Sequence, residues 1–201
     1  MQIQCFANGF RQGTYILFIH LSKKSSLCFG NFLGGKKIHL EPGFYMYIGS
    51  ALNKKPSSMP LARRLVRHAS RSNGKPAHEA REFMIRFFQK HQLATADLQP
   101  PANKKLHWHI DYLLDCPDAR IITAFVIRSP LRLETAVSDL AESLDETFII
   151  ARKLGARDTR SGTHLLGIRD LDSCLEKLER AIPLICRDNQ IPSSPTPSNP
   201  C

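Results

Sequence analysis

Apolar and polar positions along the chain fall into two periods, one extended and one helical. Gly13 to Leu21 is a nearly unbroken run rich in β-branched and aromatic residues and reads as a buried strand. A polar turn over Ser22 to Ser26 leads to a second strand over Leu27 to Leu33, a Gly34-Gly35 turn and a third strand over Lys36 to Leu40. Glu41-Pro42-Gly43 then turns the chain into a strand over Phe44 to Gly49. Period-two alternation sends Tyr45, Tyr47 and Gly49 to one face of that strand and Phe44, Met46 and Ile48 to the other. An antiparallel β-meander is the simplest arrangement.

Helical spacing takes over after a loop bracketed by Pro56 and Pro60, with Ser57 or Ser58 as the expected cap. Arg64, Arg67, His68 and Arg71 stand at i, i+3, i+4 and i+7, while Leu61, Leu65, Val66 and Ala69 take the opposite side. His78 to His91 repeats the pattern with Ala80, Phe83, Met84, Phe87 and Phe88, and Gln92 to Lys105 reads as loop. Further elements are a helix over Leu106 to Leu114, a strand over Ile121 to Ile127, a helix over Leu131 to Leu144, a strand over Gly162 to Ile168 and a helix over Asp170 to Ile182. Arg187 to Cys201, rich in proline and serine, is expected to be a disordered tail. The sum is one α/β (α+β) domain over 11–186, a small mixed or antiparallel sheet flanked by helices, with a basic helical insertion over about 72–105.

Length and charge narrow the possibilities. A chain of 201 residues with 42% apolar composition can bury a proper core. No apolar run approaches a membrane span and Met1 to Arg11 lacks a signal-peptide pattern, so the expected location is the cytoplasm. Six cysteines without a C-x-x-C pair argue against a zinc ribbon or a disulfide framework. The formal charge of +10 is regional: Leu52 to Lys105 holds twelve Lys or Arg against three Asp or Glu. Such a surface attracts polyanions, nucleic acid first among them.

Phenol hydroxyls on one strand face, a guanidinium stripe and a nearby helix N-terminus suit an anionic oxygen ligand. Gly13-Thr14-Tyr15, then Tyr47-Ile48-Gly49, then Arg64 and His68 four residues apart on a helix, resembles the GIY-YIG nuclease superfamily in order and kind. Tyr47-Ile-Gly-Ser-Ala, the Arg-His pair and His107-Trp-His-Ile-Asp-Tyr-Leu further resemble one branch of it, a domain of unknown function sometimes fused to endonuclease III-type glycosylases. Gly155 to Thr159 and Gly162 to Leu165 are similar to another stretch of that branch, which usually holds cysteines where Thr159 and its neighbours stand, and it keeps Asp158 and His164 near the site.

The resemblance implies metal-assisted hydrolysis of a phosphodiester by water. Tyr15 and Tyr47 correspond to the motif tyrosines, Arg64 to the arginine of the first helix and His68 to the polar group one turn later. It also implies a metal-binding glutamate on a later helix, for which Glu134 is best placed and Glu142 the alternative. One Mg²⁺ or Mn²⁺ is the expected cofactor and nucleic acid, DNA in preference to RNA, the expected partner. Either tyrosine would act as base only where cations favour its phenolate. Lys54, Lys55, Arg67, Arg71, His107 and His109 are the expected contacts to nucleic acid beyond the reacting phosphate. The competing readings are a catalytically inactive nucleic-acid-binding module of the same fold and a basic protein-interaction domain.

Overall fold

Residues 1–7, 9–53, 58–155 and 162–189 are described by a computed structural model of the chain. Six strands form one mixed sheet: β1 (Gln2–Phe6), β2 (Gly13–Leu21), β5 (Gly43–Ala51), β6 (Ala119–Arg128), β7 (Thr147–Ile149) and β8 (Leu165–Ile168), in the order β1-β6-β2-β5-β8-β7. β1 runs parallel to β6, and the other neighbours are antiparallel. The remaining strands, β3 (Ser25–Cys28) and β4 (Lys37–Leu40), pair only with each other.

The meander is therefore replaced by a different pairing. β2 lies directly against β5 with Tyr15 opposite Gly49, and β3–β4 form a separate hairpin between them in sequence. The alternating exposure of β3 leaves one narrow apolar edge, enough to pack Leu27 and Ile38 on the core but not to fill a central position. β1 lies before residue 11, where the domain was expected to begin, and carries Phe6 into the core.

Helices cover both sheet faces. α1 (Pro60–His68), α2 (Ala80–Lys90) and α3 (His109–Leu114) pack with Tyr15, Leu17, Tyr45 and Tyr47 on one side. α4 (Glu134–Ser143) and α5 (Leu171–Asp188) pack with Ile16, Phe18, Met46 and Ile48 on the other. The predicted face of the tyrosine strand is thus the observed one.

Element ends differ from the sequence expectation for identifiable reasons. α1 starts with Pro60 as its first residue, which needs no N–H partner there, and Met59 rather than a serine precedes it. The helix stops at His68, so Arg71 leaves the helical stripe. α5 continues through Pro183 to Asp188, because Ile182 and Ile185 pack on the second core and outweigh the lost backbone bond. No described helix is long and apolar enough to cross a membrane. Lys54, Lys55, Ser57, Asp158, Thr159 and most of the predicted tail lie outside the described residues.

Candidate active site

The site is built where β2 begins and β5 ends, under α1. Tyr15 is fully buried, and its hydroxyl crosses the space above Gly49 on the neighbouring strand. A Cβ at position 49 would lie 2.5 Å from the Tyr15 hydroxyl, so only glycine lets the phenol reach over the strand. Tyr47 stands beside it, with ring centroids 6.2 Å apart.

His68, the last residue of α1, is buried between these rings and Trp108. Its Nε2 lies 2.8 Å from the Tyr15 hydroxyl. Its Nδ1 faces the Asp111 carboxylate, 3.4 Å from Oδ1. Burial lowers the His68 pKa to about 4 against the opposing pull of Asp111, so the imidazole is neutral at pH 7. With a carboxylate on the Nδ1 side, the single ring proton belongs on Nδ1, and Nε2 accepts from the Tyr15 O–H. Asp111, His68 and Tyr15 stand in line: the imidazole is hydrogen-bonded to the phenol and faces the carboxylate at 3.4 Å.

Asp111 is the hub. Burial favours its protonated form, yet His68, Lys104 and the His107 N–H together hold the carboxyl far below the usual range. Its Oδ2 accepts from the backbone N–H groups of His107 (2.9 Å) and Trp108 (3.1 Å), which keeps these two residues out of α3 and starts that helix at His109. Arg67 reaches both carboxylate oxygens at 3.2 Å, and Lys104, fully buried, lies 3.4 Å from Oδ1 while donating to the Ser70 carbonyl at 2.8 Å. Arg67, expected on a neighbouring phosphate, thus holds Asp111 and donates to the Lys105 carbonyl.

Arg64 is differently employed. Its guanidinium lies over the Trp108 ring, 3.9 Å from the centroid, and is near enough to Tyr15 to favour the phenolate against burial. Arg67 approaches the same indole at 4.6 Å. Two cations near one indole are favourable only in part through the ring's quadrupole; the stacking also fixes where the Arg64 fork points.

On the far side of the phenols, Glu134 opens α4. Its Oε2 accepts from the Ser50 hydroxyl at 2.6 Å, and its Oε1 lies 3.2 Å from His164 Nδ1. Burial pushes this carboxyl up, but the contacts from His164 and Ser50 outweigh it and hold the group below its usual range, so it is ionised. Glu142 is placed elsewhere and accepts the Thr163 N–H. Burial raises the Tyr15 and Tyr47 pKa above the ordinary phenol value, the Glu134 and Asp111 charges raise both further, and Arg64 opposes them. The arginine stripe therefore does not stabilise a phenolate here, because burial is the larger effect. Glu134 lies close enough to act on both phenols.

The structure thus brings Tyr15, Tyr47 and His68 into contact, sets Arg64 beside them on Trp108, ties Arg67 in through Asp111, and places Glu134 on Ser50, next to Gly49 in β5, where its charge is felt by both phenols. Arg71 is not part of the group. It donates to the carbonyls of Leu114, Pro76, Cys116 and Ala119, bracing the loop after α1 against the turn before β6. His107 lies edge-on to Trp108, and His109 turns away to accept the Gly155 N–H at 3.0 Å. Asp111 and Trp108 enter the site from the His107-Trp-His-Ile-Asp-Tyr-Leu stretch and Ser50 from Tyr47-Ile-Gly-Ser-Ala, whereas Lys104 joins it with no signal in the sequence. The spacing of His107 and Asp111 points to a His–Asp contact in a helix, whereas the bond runs from the backbone of residue 107, before the helix starts.

Residues 14–186 match the family described as Domain of unknown function DUF123. No curated protein and no solved structure matches the chain.

Proposed function

The chain belongs to the DUF123 family of domains of unknown function, and from that premise we propose that it is a metal-dependent endonuclease of GIY-YIG type hydrolysing phosphodiester bonds in nucleic acid, DNA in preference to RNA. The observation that supports this reading best is the Tyr15 hydroxyl held 2.8 Å from His68 Nε2, with His68 Nδ1 facing Asp111 at 3.4 Å and with the charges of Arg64 and Glu134 both acting on the phenols. A buried phenol pinned by a neutral imidazole is an expensive arrangement for mere packing.

Hydrolysis needs an activated water, a cation facing the charge that grows on the nonbridging oxygens, and a held geometry. Arg64, fixed on Trp108, presents a planar fork suited to a phosphoryl group. Tyr15, fully buried, is oriented by donating to His68, and its oxygen keeps acceptor capacity for one further donor. Asp111 holds the His68 tautomer so that this bond is not reversed. The gap between a phenol raised above 10 and an imidazole near 4 keeps the proton on Tyr15 in the resting site.

Glu134 suits one ion of the Mg²⁺ or Mn²⁺ class: it is a single ionised carboxylate, kept in place by two neighbours, and such ions take most ligands from water and phosphate. Among the described residues no group of three or more His, Cys, Asp or Glu forms a fuller cage. When bound, such a cation offsets the Glu134 charge that raises both phenols and acidifies a water.

A nucleic-acid-binding module that does not cut is the second reading, favoured by the burial that pushes both phenols up. Salt-sensitive oligonucleotide binding together with divalent-metal-dependent nicking of supercoiled plasmid supports the endonuclease; binding without nicking across a metal series supports the module. Absence of binding leaves the basic protein-interaction domain.

A further inference from the structure

Beside the site lies a cleft of about 510 Å³, between the turn at Phe29 to Phe32 and the residues leading into α3. Phe32, His107, His109 and Tyr112 line it, with Lys153 at its rim. We propose that this cleft binds one unpaired nucleobase of the strand whose phosphate is held at Arg64. The proposal rests on the endonuclease reading and names the form of nucleic acid that the site takes.

Three observations carry it. The lining is aromatic, and its rings are held in place: Phe32 lies 5.1 Å from the His109 ring, whose Nδ1 is fixed by the Gly155 N–H, and Tyr112 packs edge-on against buried Phe29. Planar rings fixed in this way offer a base a stacking surface without the entropic cost of ordering side chains. Gly30 keeps one wall thin. It adopts a φ of +60°, and a Cβ there would come within 3.0 Å of the Tyr112 hydroxyl.

The cleft is also joined to the phosphodiester site. His107 packs edge-on to Trp108 at 4.9 Å, and the same indole carries Arg64 and Arg67. One carboxylate serves both places, since Asp111 holds the His107 N–H and faces His68. A backbone phosphate at Arg64 and its base in the cleft would therefore be gripped by one connected framework. The charge agrees: Lys153 and Lys105 are exposed cations at or next to the lining, and among the described residues the lining holds no Asp or Glu. An apolar peptide side chain would use the rings but not the cations.

Three probes of equal length at one salt concentration test this: an oligothymidine strand, an abasic strand of the same charge, and a fully paired duplex. Wild type should bind the thymidine strand about tenfold more tightly than the abasic strand. Phe32→Ala and His107→Ala, both at partly or fully exposed positions, should each lose most of that preference, with duplex affinity and salt dependence kept. Two variants guard against a single folding defect, and far-ultraviolet circular dichroism confirms that each is folded. Equal binding of thymidine and abasic strands by wild type would overturn the base cleft alone and leave a phosphate grip. Unchanged preference in both folded variants would also overturn it. If wild type binds none of the three probes, both the cleft and the endonuclease reading fail.

Discussion

Replacing Asp111 by alanine removes the carboxylate paired with a buried lysine at 3.4 Å. Lys104 Nζ then keeps only the Ser70 carbonyl, and Arg67 loses two contacts of 3.2 Å. Stripping one partner from a buried ion pair costs about 3–5 kcal/mol, because the remaining charge is uncompensated. The His107 and Trp108 N–H groups lose their acceptor as well, adding about 1 kcal/mol each where water does not replace it. Against a typical total stability of about 5–15 kcal/mol, this is a large fraction. Urea unfolding followed by circular dichroism should show the midpoint falling by more than about 1 M, given slopes of about 2–3 kcal/mol per molar. The lysine is the larger part of the penalty, so Asp111→Ala should cost roughly 2 kcal/mol less in a Lys104→Met background. A loss under about 1 kcal/mol, or an equal loss in both backgrounds, would refute the account of Asp111 as hub.

Gly49→Ala forces a methyl group into contact with the Tyr15 ring and hydroxyl and should lower stability by about 1–3 kcal/mol, read from thermal unfolding. Acid should destabilise the fold before the bulk of carboxylates titrate. His68 and His78 have folded pKa values near 4 against 6.5 when free, so protons favour the unfolded chain below pH 6.5 and stability is fully present only above it. Each histidine should remove roughly 2 kcal/mol between pH 7.5 and pH 5, and a flat urea midpoint over that range would contradict the burial of both rings. Arg71→Met removes one donor from four carbonyls, of which those of Leu114 and Cys116 keep a second partner in His78 and the Ala119 N–H, and should cost about 1–2 kcal/mol, while oligonucleotide affinity of the folded protein is unchanged.

What the amino-acid pattern discloses here, and what it conceals, follows from the range of the interactions involved. Alternation along β5 and the apolar side of α1 are local periodicities, and they are legible residue by residue in Tyr45, Tyr47, Leu61 and Leu65. Strand partners are not local. β1 pairs in parallel with β6, more than a hundred residues away, and its alternating Gln2-Ile3-Gln4-Cys5-Phe6 is too short to announce a strand by itself. The same holds for β2 against β5, where the intervening β3–β4 hairpin hides the true neighbour.

At the site, Tyr15, Tyr47, Arg64 and His68 were approachable because two strands and one helix repeat at known periods. The commitments of the cations were not. Whether Arg67 meets phosphate or Asp111, and whether Arg71 meets solvent or four carbonyls, depends on a loop and a helix start some forty residues further on. Lys104 carries no sequence mark of burial, since a lysine is buried only when a partner such as Asp111 is waiting.

Phenols, guanidinium and Glu134 are proposed to surround one phosphodiester, and plasmid nicking by purified Glu134→Gln reads out whether the carboxylate serves the reaction. Wild type should convert supercoiled plasmid to open circle only with Mg²⁺ or Mn²⁺, and Glu134→Gln, folded and still binding oligonucleotide, should be slower by about a thousandfold. Nicking by Glu134→Gln at the wild-type rate in the same metal would contradict the account.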